Sequence, residues 1–82
     1  MITVYTKNYC PYCVKAKGLL NSLDVQFEEI DITSTPELID ELSAKSGLKT
    51  VPQIFVDDKC LGGYSDIEAL QVEGKLMDAL KG

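Results

Sequence analysis

Apolar and polar positions alternate in two short stretches near the start of the chain and follow a helical period between them. β-Branched and aromatic residues predict a strand at Ile2–Thr6, and apolar positions predict a second strand at Gln26–Ile32. Between them, apolar residues recur at i, i+3, i+4 and i+7, which predicts a helix over Pro11–Ser22. The apolar face of that helix consists of Ala16, Leu19, Leu20 and Leu23.

The second half of the chain predicts a helix and then a hairpin. The segment Ser34-Thr35-Pro36-Glu37 has Ser/Thr caps and a first-turn proline, so it predicts a helix start, with Gly47 as its natural end. Strands are predicted at Gln53–Val56 and Lys59–Leu61, joined by a turn at Asp57-Asp58.

A last helical region follows the hairpin. Ser65-Asp66-Ile67-Glu68 has the pattern of a capping box, which predicts a third helix that continues to about Val72. Gly74 interrupts this pattern, and apolar residues after it support one or two further helical turns. Strands that alternate with helices and end in a hairpin predict an α/β fold with one mixed sheet, and residues 1–82 are expected to form a single domain.

Composition and charge exclude several classes of function. The chain of 82 residues has a net charge of -5 and no cluster of Lys or Arg, which argues against a nucleic-acid partner. No apolar run is as long as a membrane span, and no basic stretch precedes an apolar one near Met1, so neither a membrane anchor nor a signal peptide is expected.

The cysteines point to redox chemistry. Three are present, and this odd number argues against a secreted disulfide framework and favours a reducing, cytoplasmic compartment. Two of them, Cys10 and Cys13, have the spacing C-x-x-C, and the third is Cys60. Histidine is absent, so no imidazole base activates a cysteine and no mixed Cys/His zinc site exists.

Cys10 is predicted to be an activated nucleophile. Pro11 suits the first helical position, which places Cys10 at the N-cap, where backbone N–H groups and the helix dipole favour a thiolate. Lys7 adds a nearby positive charge that would lower the pKa of the thiol further. Cys13, more inward, would then attack the mixed disulfide formed on Cys10 and release the product. Half of a zinc site is the alternative, and it lacks a fourth ligand within this chain.

Three segments together resemble the glutaredoxin family. Lys7-x-x-Cys10-Pro11-Tyr12-Cys13 resembles the active-site segment of dithiol glutaredoxins, Thr50-Val51-Pro52 their Thr-Val-Pro loop, and Gly62-Gly63-Tyr64-Ser65-Asp66 their Gly-Gly-x-x-Asp segment. The segments occur in the same order and at similar separations. The resemblance implies a thioredoxin-like fold with a four-stranded mixed sheet flanked by three helices, in the order β-α-β-α-β-β-α.

The resemblance also implies glutathione as a cosubstrate, with no metal and no tightly bound cofactor. A cis peptide bond before Pro52 would turn the backbone of Val51 toward Cys10, where it pairs with glutathione. The helix start at Ser65 and Asp66 would bind the γ-glutamyl group, and Lys7 would bind the glycyl carboxylate. The implied glutathione-binding residues are Lys7, Tyr12, Thr50, Val51, Pro52, Gly63, Tyr64, Ser65 and Asp66.

The expected function is therefore glutathione-dependent reduction of protein disulfides and of glutathione mixed disulfides by a monomeric enzyme. Ribonucleotide reductase is one substrate that the family suggests. Two alternatives remain: a redoxin reduced by thioredoxin reductase, and a glutaredoxin that binds an iron–sulfur cluster between two subunits. Pro11 and the second thiol, Cys13, argue against the cluster. Cys60 is interpreted as a small, partly buried residue of the hairpin, with a redox side role as the less favoured reading.

Overall fold

A computed structural model describes residues 1–8 and 10–81. These residues form four strands and four helices in the order β-α-β-α-β-β-α-α. The elements are β1 (Ile2–Thr6), α1 (Pro11–Ser22), β2 (Glu28–Asp31), α2 (Leu38–Ser46), β3 (Gln53–Val56), β4 (Lys59–Gly62), α3 (Tyr64–Val72) and α4 (Leu76–Leu80).

The four strands form one mixed sheet in the order β2-β1-β3-β4, which confirms the predicted sheet. β1 is parallel to β2 and antiparallel to β3, and β3 is antiparallel to β4. Tyr5, near the end of β1, is paired with Gln53, the first residue of β3. The segment after β1 and the segment before β3 therefore meet at one end of the sheet, and these segments contain Cys10 and Pro52.

The core lies on both faces of the sheet. On one face, β1 and β3 pack against α1, α3 and α4, with Leu20, Ile54 and Ile67 fully buried. On the other face, Phe55 packs with Ile32 and with Leu42 of α2. Each fully buried side chain of this size contributes about 1.5–3 kcal/mol, so this small core depends on each large side chain within it.

Two predicted boundaries were wrong in the segment before α2. β2 is shorter than predicted because its pairing with β1 covers only Glu28–Asp31. The helix predicted to begin at Ser34-Thr35-Pro36-Glu37 begins instead at Leu38, and Glu37 occupies the N-cap without a side-chain cap. The Asp31 carboxylate accepts the N–H of Thr33, and the following residues form i to i+3 turns that compete with a regular helix.

The last helical region also differs from the prediction. The resemblance implied three helices, whereas the described residues contain four. Gly74, with a φ of 75°, separates α3 from α4, and α4 confirms the helical turns that the apolar residues after Gly74 predict. The predicted capping box has Ser65 as its N-cap, so the helix would begin at Asp66. α3 begins two residues earlier, at Tyr64, and Gly63 is its N-cap. Ser65 therefore lies within the first turn and does not cap the helix.

A polar contact links α1 to the sheet and predicts a pH-dependent stability. The Lys17 ammonium (2.9 Å) and the Thr6 hydroxyl (2.8 Å) both donate to Glu29 Oε2, and these bonds hold the pKa of Glu29 below its ordinary value of 4.5. A lowered pKa contributes stability that is present above about pH 4.5 and is lost as the pH falls through the pKa of the folded state. We expect Glu29→Gln to reduce the free energy of unfolding at pH 7 by at most about 1 kcal/mol, because the pair is partly exposed.

Urea unfolding at pH 7 and at pH 3 measures this effect. The difference between the wild type and Glu29→Gln should narrow at pH 3, where the carboxyl of the wild type becomes protonated. Glu28→Gln, on the exposed neighbour in the same strand, is the matched control and should change stability less at pH 7. A difference for Glu29→Gln that is equal at the two pH values would contradict the assignment.

Candidate functional site

Cys10 is the N-cap of α1, as the sequence predicts. Its backbone is extended, with φ of -112° and ψ of 100°, and Pro11 occupies the first position of the helix. The backbone N–H of Cys13 donates to Cys10 Sγ at 3.1 Å. A sulfur atom in this position receives an N–H bond and lies at the positive end of the helix dipole, so both interactions would stabilise a thiolate at Cys10.

The two cysteines of the motif differ in exposure and are joined. Cys13 is only 1% exposed, whereas Cys10 is half-buried and accessible at the helix start. The structure shows a disulfide between them, with their Cα atoms 5.1 Å apart. The pair is therefore close enough to cycle between dithiol and disulfide, and an incoming thiol has better access to the sulfur of Cys10.

The segment before β3 lies beside Cys10. The carbonyl oxygen of Val51 lies 3.7 Å from Cys10 Sγ, and the peptide bond between Val51 and Pro52 is cis, as the resemblance implies. Pro52 is buried, whereas Val51 is half-buried and Thr50 is exposed. Backbone that belongs to no helix or strand is thus available next to the reactive sulfur, where it could pair with a short peptide.

An open groove of about 490 Å³ brings most of the predicted site residues together. Its walls come from α1, from the segment before β3 and from the start of α3. The lining residues are Tyr12, Leu48, Thr50, Val51, Pro52, Gly63, Tyr64, Ser65 and Asp66. Eight of these were predicted from the sequence. Leu48 was missed, since a leucine just after a helix end carries no signal that separates it from a core residue.

The start of α3 is built around the carboxylate of Asp66. Asp66 Oδ2 accepts the N–H of Gly63 at 2.9 Å, so this carboxylate caps the helix. Gly62 has a φ of 110°, and a Cβ added there would collide with Asp66 Oδ2. The backbone of Gly63 lies against Pro52, whose carbonyl oxygen would be 3.3 Å from an added Cβ. The two glycines therefore allow close contacts within the protein, and Gly63 also lines the groove.

Two tyrosines stand at the groove, one on each flanking helix. The rings of Tyr12 and Tyr64 are tilted by 32°, with centroids 6.1 Å apart, and Tyr12 is 59% exposed. The Tyr64 hydroxyl donates to Glu68 Oε2 at 2.9 Å, and this bond raises the pKa of Tyr64. Lys15 lies 5.3 Å from the centre of the Tyr12 ring, within the range of a cation–π contact. The Tyr12 and Tyr64 rings thus form an aromatic edge of the groove beside the cysteines.

Lys7 and Cys60 stand apart from this groove. Lys7 is half-buried, directly after β1, and is not among the residues that line the groove. Cys60 is a free, half-buried thiol that packs near Phe55 and accepts the N–H of Gly62. Burial raises the pKa of Cys60, and the nearby Asp66 carboxylate acts in the same direction. This thiol is therefore a weaker nucleophile near neutral pH than an unperturbed cysteine.

Comparison with known proteins decides the family. The sequence model of the family described as Glutaredoxin matches residues 2–61, which is most of this chain and includes the C-x-x-C motif. The chain belongs to the glutaredoxin family. Glutaredoxins of known sequence and structure match almost the whole chain, and the predicted membership is confirmed.

The similarity to individual glutaredoxins is close. The chain is 47% identical to Glutaredoxin of Pseudomonas aeruginosa over 79 residues, covering 96% of this chain and 93% of that protein. It is 44% identical to Glutaredoxin 3 of Escherichia coli K12 over 80 residues, covering 98% and 96% respectively. The structure of a buckwheat glutaredoxin–glutathione complex matches with a TM-score of 0.90 at 28% identity, covering 98% of this chain and 76% of that one.

Family and geometry together establish the general chemistry. The fold is the thioredoxin-like fold of glutaredoxins, and the Cys10–Cys13 pair makes the protein a thiol–disulfide oxidoreductase. Among residues 1–8 and 10–81, no group of three or more Cys, Asp or Glu side chains is arranged to hold a metal ion. The helices within the same residues are all too short or too polar to cross a bilayer.

Proposed function

We propose that this protein uses glutathione to reduce protein disulfides and glutathione mixed disulfides, with Cys10 as the nucleophile and Cys13 as the resolving thiol. One observation carries the proposal. The accessible sulfur, Cys10 Sγ, lies 3.7 Å from the carbonyl oxygen of Val51, and Val51 lines the groove. The site thus offers a reactive sulfur together with a surface for a small peptide.

With a protein disulfide as substrate, the catalytic cycle balances as four thiol–disulfide exchanges. The Cys10 thiolate attacks a substrate disulfide, one substrate sulfur leaves as a thiolate and takes up a proton, and Cys10 is held in a mixed disulfide. With a protein substrate, Cys13 then attacks Cys10 Sγ, releases the second substrate thiol and forms the Cys10–Cys13 disulfide seen in the structure. One glutathione attacks Cys10 and frees Cys13, and a second removes the first as glutathione disulfide.

The groove supports glutathione as the reductant. Backbone at Val51 would pair with the extended tripeptide, as one strand pairs with another. The N–H groups in the first turn of α3 are not used in hydrogen bonds within the helix, and they would bind the γ-glutamyl carboxylate. Asp66 would lie near the ammonium of the same γ-glutamyl group. Lys7, which lies outside the groove lining, would meet the glycyl carboxylate. The buckwheat glutaredoxin that this chain resembles in structure forms a complex with glutathione, which adds support.

The wider setting belongs to the same proposal. Glutathione acts as a cosubstrate that binds, reacts and is released, and disulfide-containing or glutathionylated proteins are the partners. Ribonucleotide reductase is one such candidate. An odd number of cysteines with a working C-x-x-C pair supports a reducing compartment, the cytoplasm, and Cys10, half-buried but accessible at the helix start, requires no second subunit.

Reduction of the purified oxidised protein tests the proposal. Glutathione, β-mercaptoethanol at the same thiolate concentration, and thioredoxin reductase with its nicotinamide reductant are compared as reductants. Because only glutathione has the γ-glutamyl and glycyl groups that the groove would bind, it should act at least about tenfold faster than β-mercaptoethanol. Equal rates for the two monothiols, with fast reduction by thioredoxin reductase, would replace the glutathione assignment with a reductase-dependent redoxin.

A further inference from the structure

Gln53 is a fully buried polar side chain that the proposed cycle does not use. It is the first residue of β3, and its relative exposure is 0%. Its Nε2 donates two hydrogen bonds, to the carbonyl oxygen of Leu48 at 3.0 Å and to that of Thr50 at 2.9 Å. A buried amide is costly unless its polar atoms are paired, so these two bonds are the reason that an amide is tolerated here.

The two acceptors define the orientation of the Gln53 amide. Both are backbone carbonyls, and only the NH₂ group of the amide can donate to them. The Oε1 atom is buried without a hydrogen-bond partner among the described residues. The orientation therefore leaves one polar atom unpaired in order to keep both donors on the same short segment.

That segment is the irregular connection between α2, which ends at Ser46, and β3. Residues in an irregular connection form few of the backbone hydrogen bonds that hold helices and strands, so side chains must fix their conformation. Gln53 fixes the connection from the sheet side, and the hydroxyl of Ser46 accepts the N–H of Leu48 at 3.0 Å from the helix side. Together, these bonds determine the positions of Leu48 and Thr50.

The same connection forms one wall of the groove. Leu48, Thr50 and Val51 all line it, whereas Gln53 itself does not. We propose that Gln53 is a positioning residue that holds this wall, and through it the Val51 backbone, in place beside Cys10 for glutathione. This inference rests on the proposed function, and it adds a residue that acts on the cosubstrate only through its neighbours.

Gln53→Met tests the role because methionine has a similar length and no hydrogen-bond donor. Loss of the two bonds should slow reduction of the oxidised protein by glutathione about tenfold, through a higher KM with little change in kcat. Reduction by dithiothreitol, which needs access to the disulfide and no peptide groove, should change less than twofold. A KM for glutathione equal to that of the wild type would overturn the proposal.

Val56→Ala is the matched control for general destabilisation. Val56 is buried at the other end of the same strand and contributes nothing to the groove. It should lower the melting temperature and leave the KM for glutathione unchanged. If Val56→Ala raises this KM as much as Gln53→Met does, the effect belongs to overall stability and the positioning role is wrong.

A measurement on the wild type keeps the inference testable if Gln53→Met does not fold. The chain has two exposed glutamines, Gln26 and Gln71, which are internal references for side-chain amide exchange. By NMR, the Gln53 amide protons should exchange at least about a hundredfold more slowly than those two. Equal exchange rates would overturn the inference. This readout involves no glutathione, so its result is distinguishable from a failure of the proposed function.

Discussion

Cys10→Ser abolishes the reduction of both protein disulfides and glutathione mixed disulfides. A serine hydroxyl at the N-cap still accepts the N–H of Cys13, so the helix start is kept while the nucleophile is removed. We expect both activities to fall by about 1,000-fold or more, because every path through the cycle begins with an attack by this sulfur. Turnover coupled to glutathione reductase, read from the loss of its nicotinamide absorbance, measures the effect.

Two other cysteine variants complete this test. Cys13→Ser should retain the reduction of glutathione mixed disulfides, because a second glutathione resolves the intermediate, and should lose most of its activity on protein disulfides. Cys60→Ser is the matched control and should keep both activities, since Cys60 lies outside the groove lining. A Cys10→Ser protein that still turns over would show that the nucleophile has been assigned wrongly.

The sequence predicted the elements and the site segments better than it predicted their boundaries. The apolar periodicity of α1 and the C-x-x-C motif depend on local spacing, so the helix and the N-cap position of Cys10 were both found. The Thr50-Val51-Pro52 loop and Gly63 were also named from the sequence, because the three resembling segments have a fixed order. Gly63 and this loop line one groove because β4 pairs with β3, with Ile54 opposite Gly62, and the pairing of β1 with β3 adds the start of α1.

The prediction from the sequence failed where two local patterns compete for the same segment. Two overlapping capping patterns exist at the start of α3, Ser65 with Glu68 and Gly63 with Asp66. The structure uses the second, while Glu68 accepts the hydroxyl of Tyr64 instead. The choice depends on Gly62, whose positive φ turns the chain so that the Asp66 carboxylate reaches the Gly63 N–H. The role of Gln53 was hidden for a similar reason, since its partners are backbone atoms that no sequence pattern marks.

Gly62→Ala should be strongly destabilising. Its φ of 110° lies where residues with a Cβ are strained, and the new methyl group would collide with the Asp66 carboxylate. To relieve the collision, Asp66 must release the N–H of Gly63, which removes the cap of α3. We expect a loss of about 2–4 kcal/mol in the free energy of unfolding, measured by urea denaturation.

Gly74→Ala separates the strained backbone from the collision with Asp66 as causes of that loss in the free energy of unfolding. Gly74 also has a positive φ, 75°, but an added Cβ there meets no atom within 4 Å. It should therefore cost only about 1 kcal/mol, which is the backbone penalty alone. Gly18→Ala, at an open position inside α1, should instead stabilise the protein by about 0.5–1 kcal/mol, because alanine favours the helix.

A double-mutant cycle between Gly62 and Asp66 then tests the collision directly. If the carboxylate is the obstacle, Gly62→Ala should cost less in an Asp66→Ala protein than in the wild type, because the cap is already lost and the space is open. Additive effects would mean that the strained φ alone accounts for the loss. In the single Gly62→Ala protein, reduction by glutathione should also slow more than reduction by dithiothreitol, because the displaced carboxylate and helix start line the groove while the Cys10–Cys13 disulfide stays accessible.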